Sequence, residues 1–140
     1  MLPDQYRFTI ENKTGVTIDA SLITIQYRGK YFSAGVLTYE SESSDVANQG
    51  STITDTSFNN GTTVDNGVKS NPCIEMDVHI AANLSTNTAT PNGHIIIYLQ
   101  RATADTAVFT EDGDGANSDI IGVIYFDNAK ADKDLVVTVG

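Results

Sequence analysis

The sequence predicts an all-β fold: an antiparallel β-sandwich, jelly-roll-like, of about seven to eight strands. Three observations carry that prediction. Ile74, Met76, Val78, Ile80 and Ala82 fall on alternate positions, with Glu75, Asp77 and His79 between them. This is the period of a strand with one apolar and one wet face. The chain is rich in Thr, Ser, Asn, Gly and Asp and poor in the helix formers Leu, Lys and Glu, which suits strands joined by polar loops. Finally, no segment keeps a helical period for three turns, and polar turn clusters recur at sandwich-like spacing. An immunoglobulin-like winding is disfavoured, because there is no Trp and only one Cys to supply its Cys…Trp…Cys signature.

The elements follow in order. Residues 5–11 alternate Tyr6, Phe8 and Ile10 with polar neighbours, and 12–15 form a turn ending on Gly15. Residues 16–27 are extended, but Val16 and Ile18 hold one phase and Ile23, Ile25 and Tyr27 the other. That shift predicts a bulge or bend at 19–22. Arg28-Gly29-Lys30 reads as a turn, and 31–39, with Gly35 inside it, as a weaker edge strand. A polar loop at 40–51, a short strand within 52–60 and a second polar stretch at 61–72 come next. Residues 73–83 and 94–101 then read as a long-looped antiparallel hairpin, with Asn92-Gly93 in its loop. Ile95, Ile97 and Leu99 share one face of its second strand, and His94, Ile96, Tyr98 and Gln100 the other. So apolar a run suits a strand covered on both sides, inside the sandwich or under a neighbouring subunit. Residues 102–118 form a loop and 119–127 a strand, where Gly122 predicts a bend or a close backbone approach. A turn at 128–134 leads into a closing strand at 135–139.

The 140 residues suit one domain spanning 1–140. A chain of that length buries roughly 70% of its unfolded surface, so it needs no disulfide or metal to fold. The 18 acidic residues against 8 basic ones give a net charge of −10. That argues against nucleic acid, whose binding neutralises phosphates, and against anionic membranes. It favours solubility or a basic protein partner. Nothing resembles a membrane span or a signal peptide, so synthesis in the cytoplasm is expected. Cys73 stands alone and reads as a small side chain at a strand start. The sequons at Asn12-Lys-Thr14 and Asn83-Leu-Ser85 read as chance matches.

Few residue patterns suggest chemistry. Asp112, Asp114 and Asp119, with Glu111 and Asn117, offer oxygens for calcium. However, Ala116 and Asn117 stand where an EF-hand places a ligand and its glycine. An Asp-Gly loop tip is the preferred reading of the run, and no metal is expected. His79 and His94 lack further convergent ligands and read as ordinary strand histidines. There is no nucleophile elbow and no phosphate-binding glycine loop. The sequence therefore predicts no enzyme, no cofactor and no catalytic residue. Tyr27, Tyr31, Phe32 and Tyr39 cluster around the second and third strands. They are candidates for an interface, where aromatics are enriched, or else for the core.

A family pattern runs through the second half of the chain. It comprises Gly61-Thr-Thr-Val-Asp-Asn66, the alternating strand after Cys73, Gly93-His-Ile-Ile-Ile-Tyr-Leu99, an acidic loop and Ile121-Gly-Val-Ile. Over roughly 60–140 this order resembles small virion structural proteins of tailed bacteriophages. The chain departs from them in having Asn-Gly after Asp65 and its own loop at 102–118. The resemblance implies a homo-oligomeric virion component without catalysis. Such a protein would decorate a capsid by binding the major capsid protein or other virion subunits, or would serve in a tail or fibre. The residues alone leave open a second class, a β-sandwich module that binds carbohydrate or a host receptor.

Overall fold

The computed structural model describes residues 2–46, 52–84, 87–102, 109, 117–126 and 133–140. Among them twelve strands form: β1 (Gln5–Lys13), β2 (Ile18–Asp19), β3 (Ile23–Ser33), β4 (Val36–Tyr39), β5 (Ser43–Val46), β6 (Thr52–Ile53), β7 (Phe58–Asn60), β8 (Val64–Asp65), β9 (Glu75–Ala82), β10 (His94–Arg101), β11 (Ser118–Tyr125) and β12 (Lys133–Val139). The first sheet runs β11-β10-β1-β7, with β8 also beside β1. The second runs β12-β9-β3-β4, with β5 also beside β3. All pairings are antiparallel, and β2 with β6 makes a small separate ladder.

Period-two alternation aims one face of each long strand into a shared core. Tyr6, Phe8 and Ile10 of β1 and Ile95, Ile97 and Leu99 of β10 are buried in one cluster with Ile23 and Ile25 of β3 and Met76, Val78 and Ile80 of β9. Phe8 meets Tyr27 from the opposing sheet at 5.3 Å between ring centroids. The two main sheets thus pack as the expected antiparallel sandwich.

The expected hairpin of 73–101 does not form. β9 pairs with β3 and β12, and β10 pairs with β1 and β11, so the two strands lie in different sheets. Both carry a fully apolar inner row, and such rows bury each other by packing face to face rather than by sharing a ladder. The turn expected at 28–30 is also absent. β3 runs unbroken through Arg28, Gly29 and Lys30, which face Asp77, Met76 and Glu75 of β9. Two short strands, β5 and β8, lie in stretches that read as polar loops.

The bend expected at 19–22 is a 3-10 turn, Ala20–Leu22. Asp19 caps it, accepting from the Ser21 backbone N–H at 2.9 Å and the Ser21 hydroxyl at 2.7 Å. Those bonds hold the Asp19 carboxyl below its ordinary range. Beside Gly122, at Ile121, the register of β11 on β10 slips by one residue, and a Cβ on Gly122 would collide with the Leu135 side chain of β12. The glycine thus allows a close approach between the two sheets at one side of the sandwich.

Asn12 lies fully buried at the end of β1. Its amide nitrogen donates to the carbonyls of Val16 at 2.7 Å and Ile53 at 2.8 Å. Its oxygen accepts from the Thr14 N–H at 2.9 Å and the Thr14 hydroxyl at 2.7 Å. The sequon match at this residue is therefore a structural knot with no room for a glycan. Asn66 works similarly. Its side-chain nitrogen donates to the Cys73 carbonyl at 3.0 Å, and its oxygen accepts from the Cys73 N–H at 2.8 Å. One amide thereby stands in for a rung of sheet.

Candidate interaction surface

The second strand of the first sheet, β10, is buried along its inner face and, at Tyr98 and Gln100, on its outer face as well. Tyr98 and Gln100 point away from the core yet are buried. The Tyr98 hydroxyl donates to Glu11 Oε2 at 2.7 Å, and Lys13 pairs with the same carboxylate at 3.0 Å. Arg7 Nε donates to Gln100 Oε1 at 2.7 Å, and its guanidinium lies 4.3 Å from the Phe109 ring centroid. Phe58 lies beside Tyr98, with ring centroids 6.3 Å apart. Further along that face Ile96 and Val123 are half-buried, while Ile120 and Tyr125 are exposed.

The most prominent apolar surface belongs to the β3–β4 hairpin. β9 accompanies β3 only as far as Lys30. Beyond it, Tyr31, Phe32 and Ser33 have only β4 beside them, opposite Thr38, Leu37 and Val36. The hairpin turns through Ala34 and Gly35, at φ 48° and 80°. Two consecutive residues of positive φ make the turn type whose twist matches a tight hairpin. The result is a projecting finger. Phe32 and Leu37 form one cross-strand pair and Lys30 and Tyr39 the next on the same face. Phe32 is 57% exposed, Tyr39 47% and Val36 66%.

At the base of the finger, charge is closely paired. Lys30 Nζ lies 2.7 Å from Asp77 and 2.9 Å from Glu75. The hydrogen bonds that the Lys30 ammonium donates to Asp77 and then to Glu75 push its pKa up to about 12. The same bond from Lys30 holds the Asp77 carboxyl low. The Arg28 guanidinium stacks 4.5 Å above the Tyr39 ring. The exposed apolar side chains of the finger thus stand on a base whose charges are paired.

The four aromatics singled out in the sequence therefore divide. Phe32 and Tyr39 stand exposed on the finger. Tyr27 and Tyr31 are half-buried against the core, Tyr27 on Phe8. Val36 and Leu37 complete the finger and were missed, because the expected turn at 28–30 hid the real one. Ala34-Gly35 between apolar pairs was the available signal.

Other candidate residues do not converge. His79 sits on the outer face of the second sheet, 3.0 Å from Asp134 and 3.2 Å from Gln26. His94 lies in the first sheet beside Tyr125, with ring centroids 5.0 Å apart. Among the described residues no group of three His, Cys, Asp or Glu side chains could hold a metal. Asp119 pairs with Arg101, and Asp112 and Asp114 lie outside the described residues. Cys73 is buried, with Lys69 Nζ at 3.8 Å from its sulfur. Burial, then the bond to Glu40, pushes its thiol up, which makes it a poor nucleophile. A cleft of about 510 Å³ opens between the β11 and β12 edges, lined by Leu2, Leu99, Ile120, Val137 and Gly140. Its charged residues, Arg101 and Asp119, are satisfied by each other. No helix among the described residues is long and apolar enough to cross a membrane.

The chain matches no protein-family model, no curated protein and no solved structure. The geometry of the finger is thus the principal guide to function.

Proposed function

We propose that this protein is a non-enzymatic structural component of a tailed-phage virion that decorates the capsid by binding assembled shell subunits. The observation that carries the reading is the β3–β4 finger, with Phe32, Val36, Leu37 and Tyr39 all exposed. Large apolar side chains grouped on a projecting hairpin suit insertion into a groove on a protein partner, where buried aromatics supply most of the binding energy. The resemblance over residues 60–140 names the kind of partner. Within that pattern Asp65 accepts from Gln5 at 3.0 Å and Asn66 pins Cys73, so its polar residues serve the fold and leave the contact to the finger. We read the winding as jelly-roll-like as well. The order β11-β10-β1-β7 facing β12-β9-β3-β4 fits the neighbour relations of a jelly roll whose chain is opened between its second and third strands.

The test is co-sedimentation of the purified protein with assembled shells from its source. Wild-type protein is expected in the particle fraction near stoichiometry with the shell subunit. The double variant Phe32→Ser, Tyr39→Ser is expected to stay in the supernatant while keeping its circular dichroism spectrum. Equal binding by the variant would remove the finger from the reading. No binding by wild type would overturn decoration. Low-copy association with whole virions would move the role to the tail, and binding of isolated glycans would favour the receptor-binding class.

A further inference from the structure

A sheet edge exposes unpaired N–H and C=O groups, and proteins protect such edges from pairing with other chains. Among the described residues, three of the four edges of the two main sheets are protected. The β4 and β5 side of the second sheet is broken into two strands of 4 residues each. The β7 and β8 side of the first sheet is broken into strands of 3 and 2 residues. β11 is long but carries the register slip at Ile121, and such irregularities bend an edge away from partners. β12 has none of these devices. It runs 7 residues without proline or slip, and every residue from Lys133 to Val139 is in register with β9. Among the described residues nothing pairs with its outer side. Val136, at its centre, is 71% exposed.

We propose that β12 pairs antiparallel with β12 of a second copy about a two-fold axis at Val136, joining two second sheets into one. The strand is complementary to itself in this register. Val136 meets its own copy, and Asp134 meets Thr138 on the same outer face. Leu135 meets Val137 on the inner face, where both are already half-buried against the core. Lys133 meets Val139. No like charges face each other, so a chain of net charge −10 meets its copy along a strand with one Lys and one Asp. A two-fold interface requires this kind of self-complementarity, and strand addition draws its affinity from main-chain hydrogen bonds. The pairing needs only the chain itself and is independent of what the finger binds.

Sedimentation velocity of the purified full chain over a concentration series tests the pairing. Wild type is expected to show a reversible dimer. Val136→Asp and Val136→Lys each place like charges across the axis, and each is expected to raise the dimer dissociation constant about tenfold or more. Both side chains lie on an exposed position, so circular dichroism should match wild type. An equimolar mixture of the two variants is expected to restore the dimer, because opposite charges then face each other. A monomeric wild type, a dimer unaffected by either variant, or a mixture that stays monomeric would each overturn the proposal.

Discussion

One asparagine and one lysine show how much a single side chain settles in this protein. Asn12 makes four hydrogen bonds from a fully buried position, and Asn12→Ala takes their partner from the Ile53 carbonyl and the Thr14 N–H, while the Val16 carbonyl keeps the Thr14 hydroxyl at 3.1 Å. Unmade buried hydrogen bonds cost about 1–3 kcal/mol each, partly recovered by relaxation, so a loss of about 2–4 kcal/mol is expected in urea denaturation. The sequence showed Asn12 only as a turn residue or a sequon. Nothing local announces that the Ile53 carbonyl, 41 positions away, ends beside it. Lys30 contributes to the pH response. Its pKa is raised from 10.5 to about 12, so its contribution is complete below 10.5 and fades as pH climbs toward 12. Asp77 is lowered from 3.8, so its contribution is complete above 3.8 and fades as pH falls through the lower folded value. Lys30→Met is expected to flatten both flanks of a melting temperature measured against pH. Flanks as steep as in wild type would show that other groups set them.

At the scale of elements, periodicity was the reliable signal and pairing the unreliable one. The alternation after Cys73 located β9, and its inward set Met76, Val78, Ile80 and Ala82 is the buried set. Partner choice was not legible, because the facing rows of β9 and β10 look alike whether strands share a ladder or pack across a sandwich. Arg28-Gly29-Lys30 looked like a turn by composition. Two carboxylates of β9 pair with Lys30 there, and they keep β3 extended past the glycine. The true turn, Ala34-Gly35, holds an alanine at φ 48°, where asparagine is favoured. Ala34→Asn is therefore expected to stabilise the finger by about 0.5–1 kcal/mol. Urea denaturation followed by tyrosine fluorescence would show this as a higher midpoint, and a lower midpoint would contradict it. Exposure within the closing strand was partly legible. Asp134, Val136 and Thr138 share a phase, but only the second sheet's order shows that β12 is an edge.

Across the whole molecule, the core joins distant parts of the chain. Tyr6 pairs with Arg101 and Lys30 with Glu75, so no large piece of sandwich forms from neighbouring segments alone. The seam near residue 73 belongs to this pattern: Leu2 donates to the Ile74 carbonyl at 3.1 Å and Asn66 holds Cys73 from the other side. The chain has one thiol, and it is sealed in this seam. It can therefore serve as a clock. A thiol reagent reaches it only while the seam is open, so the labelling rate in native buffer reports the open fraction directly, without denaturant. Modification is expected to be far slower than for free cysteine, and Asn66→Ala should quicken it by roughly tenfold. Labelling at the free-thiol rate would mean the seam stands open. Intermediate rates would turn one buried sulfur into a running measure of how often the two sheets part.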